Sequence, residues 1–250
     1  MGTIVRSDSK KLLDYYKYKI PEIKAMPKHA TFDDLCKNVK LLNNVSIGYN
    51  TETAELISYD FIKNKLTLIL GEGTTEDNTF MFTIIDLIDN IKNITLNIFD
   101  ISSSINTDGN ANYYNADFAI PFANVLDEQP ENMQVNIIIG IGFAKDLLSE
   151  EEYDSLTKMI VNANNLQNNT FIIFDNYSRF QELKDTPLYQ AFDRKNGFWY
   201  GEGFDTQDFY DNSELTDSDL YDDTVNKVYY IVNNKYSVIK GVGYTEVDDE

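Results

Sequence analysis

Residues 66–80 read "LTLILGEGTTEDNTF". An apolar run ends in two glycines, and a short polar turn leads into a segment with helical spacing. A strand that enters a glycine-rich turn and leaves it as a helix is the layout of a phosphate-binding loop, whose backbone N–H groups cradle an anion. Gly71 stands at the first glycine of that pattern, and Glu72, Gly73, Thr74 and Thr75 fill the spacer. The second glycine is Glu76, the lysine is Asp77, and the magnesium-holding hydroxyl is Asn78. Three readings are open at this point: a working nucleotide site, one that has lost its function, and an ordinary strand-to-helix turn.

The substitutions fall where the chemistry is concentrated. Glu76 adds a side chain where backbone must approach an anion closely. Asp77 puts a negative charge where the lysine would neutralise phosphate. One like-charge contact at about 4 Å costs about 4 kcal/mol at an effective dielectric near 20. Micromolar affinity is worth only about 8 kcal/mol. A nucleoside triphosphatase also needs acids at the end of a neighbouring strand, to hold magnesium and activate water. "VNIIIGIG" (135–142) ends without an acid, and "TFIIFDN" (170–176) ends in Asp175 and Asn176, with one acid and no general base. Arg179 and Arg194 are the candidates for arginine fingers, against the commoner role of ion pairing.

Outward from the loop, the chain alternates strand and helix. "VSIGY" (45–49) and "AELISYDF" (54–61) read as strands around a polar turn. "KLTLIL" (65–70) and "QVNIIIGIG" (134–142) are continuous apolar runs, as strands buried on both faces are. "ITLNIFD" (94–100) and "TFIIFD" (170–175) add two more strands. Residues 79–92 place Phe80, Ile84, Leu87, Ile88 and Ile91 on one helical stripe. Ser149 and Glu152 form a capping pair for a helix over 149–167, and Thr31 with Asp34 opens another through about Leu42. A further helix spans 178–193, interrupted near Pro187. "GFWYGEGF" (197–204) starts as a strand, and "KVYYIVNNKYSVIK" (227–240) is a hairpin turning at Asn233-Asn234. The expected fold is α/β: a mostly parallel sheet flanked by helices, with antiparallel hairpins near the chain ends. Residues 1–40 read as an N-terminal helix and linker, and 41–250 as one domain. "MGTIVRSD" (1–8) reads as a cut within a longer chain more than as a domain start.

Composition narrows the function classes. With 41 acids against 21 bases and a formal charge of −20, the chain repels nucleic acid and anionic lipid surfaces. Neither is expected as a partner. One cysteine, Cys36, and one histidine, His29, allow no internal disulfide and no cysteine metal cluster. The acidic stretch 202–223 includes Asp217, Asp219, Asp222 and Asp223 but lacks the central glycine of a calcium loop, so no metal site is expected. Phe198, Trp199 and Tyr200 are core residues by the plain reading, or an aromatic floor for a partner's helix by the functional one.

The order of elements resembles the FtsK/SpoIIIE class of P-loop motor ATPases, and most closely the last ATPase-like domain of the EssC-type coupling proteins of type VIIb secretion systems. The resemblance rests on "VSIGYNTETAELISYDF" as the opening segment and "LTLILGEGTTEDN" at the Walker A position. "NGFWYGEG" (196–203) matches a Gly-x-Trp-x-Gly-x-Gly segment, and "VYYIVNNKYSVIKGVGY" (228–244) the closing hairpin. It covers roughly residues 20–245 and implies a RecA-like domain. In its order "VNIIIGIG" takes the Walker B strand and "FIIFDN" the strand after it, so Asp175 is not a magnesium ligand. Distal domains of this family are often degenerate and recruit substrates, small helical hairpins with a Trp-x-Gly turn together with the effectors escorted with them. The implied setting is the cytoplasmic side of the membrane in a membrane-anchored parent whose preceding ATPase domain is a second partner, with no direct membrane contact by this domain. The implied function is a non-catalytic recognition domain, with ATP and magnesium binding weak or absent. A weakly ATP-binding regulatory domain and an acidic scaffold unrelated to secretion are the alternatives.

Overall fold

The computed structural model describes residues 31–37, 39–72, 79–105, 111–115, 120–127, 129–216 and 227–241. In chain order these form α1 (Phe32–Cys36), β1 (Val45–Asn50), β2 (Leu56–Tyr59), β3 (Leu66–Gly71), α2 (Thr79–Asp89), β4 (Ile94–Asp100) and β5 (Asn112–Asn115). Then follow α3 (Phe122–Asp127), β6 (Met133–Ile139), α4 (Ala144–Leu147), α5 (Glu150–Val161) and β7 (Asn169–Asn176). The chain closes with α6 (Tyr177–Phe180), α7 (Pro187–Gln190), β8 (Gly197–Tyr200), β9 (Lys227–Val232) and β10 (Lys235–Lys240). All ten strands lie in one sheet, in the order β2-β1-β10-β9-β8-β3-β7-β6-β4-β5. From β8 to β5 the pairs are parallel, and from β8 to β2 they are antiparallel. The two hairpins, one from each end of the described chain, therefore share a single flank of the sheet, where β1 pairs with β10.

The apolar runs take the centre because only there are both faces covered. β3, β6 and β7 are buried almost throughout. Side chains alternate along them. Ile69, Val135, Ile137, Ile139, Ile172 and Phe174 face one core with α2, while Leu68, Leu70, Ile138, Phe171 and Ile173 face another with α5. α2 buries more than the expected stripe, including Met81, Thr83 and Ile85, because α1 packs over its outer side. α5 carries the predicted capping box: Ser149 Oγ accepts from the Glu152 N–H at 3.3 Å, and Glu152 Oε2 accepts from the Ser149 N–H at 2.9 Å. Thr31 and Asp34 cap α1 in the same way.

One polar line crosses the second face. Asn112 Nδ2 donates to Asn97 Oδ1 (3.0 Å), Asn97 Nδ2 to Asn136 Oδ1 (2.9 Å), and Asn136 Nδ2 to Asn169 Oδ1 (2.9 Å). Asn169 Nδ2 ends the line on the Gln167 carbonyl. It joins β5, β4, β6 and β7 side by side. Asn97, Asn136 and Asn169 are buried, and each amide hydrogen-bonds its neighbour in place of water.

Several expectations are corrected. The first helix stops at Cys36 instead of about Leu42, because the Leu42 carbonyl accepts from the Phe61 N–H at 2.9 Å and ties the chain into the β2–β3 turn. The helix over 178–193 is interrupted before Pro187, as expected, and is also shorter than expected, consisting of α6, a 3-10 turn and α7. Asp185 is left-handed (φ 72°), Thr186 caps α7, and Pro187 supplies its first turn. β5 and α3 were not anticipated. β5 reads "NYYN" and joins the sheet through Tyr114 stacked on Phe99 and Asn112 bonded to Asn97. Asn233 and Asn234 both take positive φ (53° and 64°), as the two-residue hairpin turn requires. The expected helix over 9–19 and linker over 20–30 lie outside the described residues.

Candidate functional site

After β3 the chain skips over two strands to β4, and after β7 it crosses β3 to form β8. The sheet therefore changes winding direction around β3. In open α/β sheets the crevice outside the carboxyl ends of the strands at such a switch point is where ligands bind. The strand ends that meet it here are Gly71–Glu72 at the end of β3, Asn176 at the end of β7, and Tyr200–Gly201 at the end of β8.

Gly71 is the last residue of β3 and is paired with Tyr200. A Cβ at Gly71 would stand 2.5 Å from the Tyr200 carbonyl oxygen and 2.5 Å from its ring, so the position accepts only glycine. Glu72 is exposed. Its Cγ lies 2.8 Å from where a Gly203 Cβ would be, against a turn held open by left-handed Gly201 (φ 76°) and Gly203 (φ 81°). The first two loop residues are thus seated against the "YGEG" turn after β8. Gly73, Thr74, Thr75, Glu76, Asp77 and Asn78 lie outside the described residues.

β7 lies between β3 and β6, so the two strands carrying the candidate motifs are not adjacent. β6 runs into Gly140, which is left-handed (φ 73°) and has Ser102 2.8 Å from its would-be Cβ. Ile141 and Gly142 follow, both buried. The acids near this end come from other strands. Asp100, ending β4, is fully buried and accepts from Ser102 Oγ (2.8 Å), Ser104 Oγ (3.4 Å), the Ile105 N–H (2.9 Å) and Tyr113 Oη (2.9 Å). Its lone pairs are spent on shaping its own exit loop. Asp175, on β7, is 2 % exposed; its Oδ2 accepts from the Gly142 N–H at 2.6 Å and its Oδ1 from the Asn176 N–H at 2.8 Å. Burial pushes its carboxyl up to about 7 against the pull of those two bonds and of Arg179.

The two arginines are held in place by local partners. Arg179 pairs with Glu182 at 2.9 Å and lies over the Phe143 ring at 4.7 Å. Arg194 donates from Nε to the Phe209 carbonyl and from an Nη to the Asp208 carbonyl, and sits over the Phe209 ring. Asp208 in turn is bonded by Tyr177 Oη (2.6 Å) and Gln181. These contacts clamp the segment after β8 onto α6. No spacing in the sequence signalled them.

The aromatic triplet is a correction. Phe198, Trp199 and Tyr200 are all buried, and strand alternation sends Phe198 and Tyr200 into one core and Trp199 into the other. They cannot form one floor for a partner's helix. Trp199 instead donates its indole N–H to the Glu202 carbonyl at 2.8 Å and packs edge-on to Tyr177. Cys36 is half-buried, and burial with the nearby Asp33 and Asp86 charges pushes its thiol up, the reverse of an activated nucleophile. His29 and the acids from Asp217 to Asp223 lie outside the described residues. Among the described residues no cluster of His, Cys, Asp or Glu could hold a metal ion, and no helix is long and apolar enough to cross a membrane.

This mostly parallel sheet, with its switch point at β3 and α2 following that strand in sequence, has a RecA-like α/β fold, as in the P-loop ATPases it resembles. The solved structures it resembles include cytoplasmic ATPase domains of type VII secretion proteins. The cytoplasmic domain of EssC superposes with a TM-score of 0.69 at 11% identity, over 96% of this chain and 52% of that one. The cytoplasmic domain of the Thermomonospora curvata type VII secretion ATPase EccC gives 0.62 at 12% identity, over 89% and 29%. ATPases 2 and 3 of T. curvata EccC, in complex with a signal sequence peptide, give 0.61 at 11%, over 89% and 44%. This chain spans about half or less of each. No family model matches the sequence, and no curated protein matches it. At such identities the likeness is one of fold, and it meets the fold read from the EssC-type resemblance.

Proposed function

We propose that this chain is an ATPase-like domain of a type VII secretion coupling protein that recognises secreted substrates and does not itself turn over ATP. The observation that carries the proposal is the pairing of a RecA-like sheet with a loop that has Asp77 at its lysine position. Supporting it, β6 exits through Gly140 and Ile141, and the two acids at neighbouring strand ends, Asp100 and Asp175, are buried and bonded to their own backbone and hydroxyl neighbours. A fold relative has been solved with a signal sequence peptide bound, which supports peptide recognition as the task such a domain keeps. The partners are then helical-hairpin substrates with their associated effectors, and the preceding ATPase domain of a membrane-anchored parent.

Calorimetry with Mg-ATP and a pull-down with helical-hairpin substrates test this together. The expected outcome is millimolar or no nucleotide binding and retention of a secreted hairpin. Micromolar binding without hydrolysis would point to a regulatory nucleotide domain. Retention of a basic cytosolic protein in place of any secreted one would point to an acidic scaffold. Robust ATP turnover would overturn the proposal. The triple change Glu76→Gly, Asp77→Lys, Asn78→Ser should raise nucleotide affinity without bringing hydrolysis.

A further inference from the structure

Among the described residues, the large hydrophobic side chains left exposed are Leu41, Ile62, Leu147, Val161 and Val232. Three of them gather at one place. The Leu42 carbonyl accepts from the Phe61 N–H at 2.9 Å, which brings together the segments carrying Leu41 and Ile62. Lys65 Nζ donates to the Leu166 carbonyl at 2.8 Å and to the Asn164 carbonyl at 3.4 Å. Those bonds tie the β2–β3 turn to the turn after α5, the helix that Val161 ends. Leu41 is 61% exposed, Ile62 41% and Val161 50%. The cluster lies at the edge where β3 and β7 begin, the opposite end of those strands from the crevice.

The charge around it runs against that of the whole molecule. Lys40 and Lys63 adjoin Leu41 and Ile62 in sequence, Lys65 crosses between the turns, and Lys158 stands one helical turn before Val161. None of the four makes an ion pair among the described residues. The acids in the same segments are Asp60 and Asp154. Asp60 Oδ1 is occupied by the Ile62 and Lys63 N–H groups of its own turn, at 3.0 and 2.9 Å. Asp154 lies a further turn back along α5 and makes no ion pair with Lys158. The result is a basic edge on a chain whose formal charge is −20.

Exposed apolar side chains rimmed by polar residues mark an interaction site. The charge chooses the partner. A phosphate polymer or an anionic membrane is repelled by the molecule as a whole, and a second copy brings the same −20 with it. A short segment senses chiefly the charges within about 8 Å of it at physiological salt, and here those are lysines. The three apolar residues come from three chain segments, none of them a strand, so the partner must supply side chains in place of a strand's backbone. We propose that the edge formed by Leu41, Ile62 and Val161 docks a short acidic amphipathic helix of another protein. Its apolar face covers those three side chains, and its carboxylates meet Lys40, Lys63 and Lys158. The inference does not rest on the secretion reading, since neither the crevice nor the loop after β3 takes part.

The test is a titration of the 15N-labelled full chain with a synthetic helical peptide bearing leucine at i, i+3, i+4 and i+7 and glutamate between. Matched peptides carry lysine for glutamate or serine for leucine. Amide shifts should be confined to residues 40–42, 61–65 and 158–166, and binding should weaken as salt is raised. The pair Lys40→Glu, Lys63→Glu should weaken binding roughly tenfold, and the pair Leu41→Ser, Ile62→Ser by a similar factor. All four positions are exposed, so the fold is expected to survive both changes. No binding at millimolar peptide, equal binding of the lysine peptide, shifts centred on the crevice, or indifference to either pair of changes overturns the proposal. So does self-association that Leu41→Ser, Ile62→Ser abolishes, which would assign the edge to a second copy. Binding of an RNA oligonucleotide or of phosphatidylserine vesicles through the same lysines overturns it as well.

Discussion

Replacing Asn136 by leucine tests whether the asparagine line is a cooperative unit or a set of tolerated polar residues. The change removes the middle member. Asn97 Nδ2 loses its acceptor, and Asn169 Oδ1 loses its donor. Both groups stay buried, and each orphaned group costs about 1–3 kcal/mol. Against a loss of about 2–6 kcal/mol, the near-isosteric leucine gains about 1.5–3 kcal/mol of apolar burial. The midpoints of these ranges leave a net destabilisation of about 2 kcal/mol. The triple variant Asn97→Leu, Asn136→Leu, Asn169→Leu removes both partners of each internal bond, which can be nearly neutral. It leaves Asn112, which is exposed and regains water, and the Gln167 carbonyl. The triple variant should therefore be no less stable than Asn136→Leu alone. Urea unfolding followed by circular dichroism gives both values, with an unchanged slope as the check that the unfolded state is the same. A neutral Asn136→Leu, or a triple variant costing the sum of three costly single changes, would refute the reasoning.

Three further outcomes are expected. Gly142→Ala puts a methyl group 2.6 Å from Arg179 backbone atoms and should cost about 1–3 kcal/mol by overpacking, read as a lowered urea midpoint. Ser149→Ala removes the acceptor at the start of α5 and should cost about 1 kcal/mol, while Ser149→Thr should cost less, by thermal unfolding. The Asp175 carboxyl is raised in the folded chain to about 7 from 3.8, so its stabilising contribution is complete below about pH 4 and is lost as pH rises through 7. The stability gap between wild type and Asp175→Asn should accordingly shrink or reverse from pH 4 to pH 8, and a gap independent of pH would count against that assignment.

The legible parts of this chain were those decided by local pattern. Continuous apolar runs marked β3, β6 and β7 because burial on both faces leaves no polar alternation, and Asn233-Asn234 marked the hairpin because two successive positive φ values suit few residues. Ser149 and Glu152 marked a helix start through a reciprocal bond only three residues long. What stayed hidden depends on distant neighbours. The "NYYN" of β5 has no apolar pattern, and it becomes a strand because Asn97 and Phe99 lie beside it. Asp175 looked like the single acid of an incomplete motif. Its bond to Gly142, far away in sequence, is set by how β6 and β7 lie side by side. The triplet Phe198–Tyr200 suggested one aromatic surface in sequence, yet alternation divides it between two cores.

The shared flank of the two hairpins bears on how the fold responds to force. β1 and β10 are antiparallel neighbours, joined at Tyr49–Lys240 and Asn50–Ile239. The chain before β1 and the chain after β10 leave this pair in the same direction. A load drawn through both would open its hydrogen bonds one after another, like a zipper, and would not shear them together. The six parallel strands from β8 to β5 lie beyond that line and would carry tension only after the hairpins had peeled away. Tethered at both ends, the domain would thus yield first at its flank, in small steps, with the crevice end of its central strands still assembled.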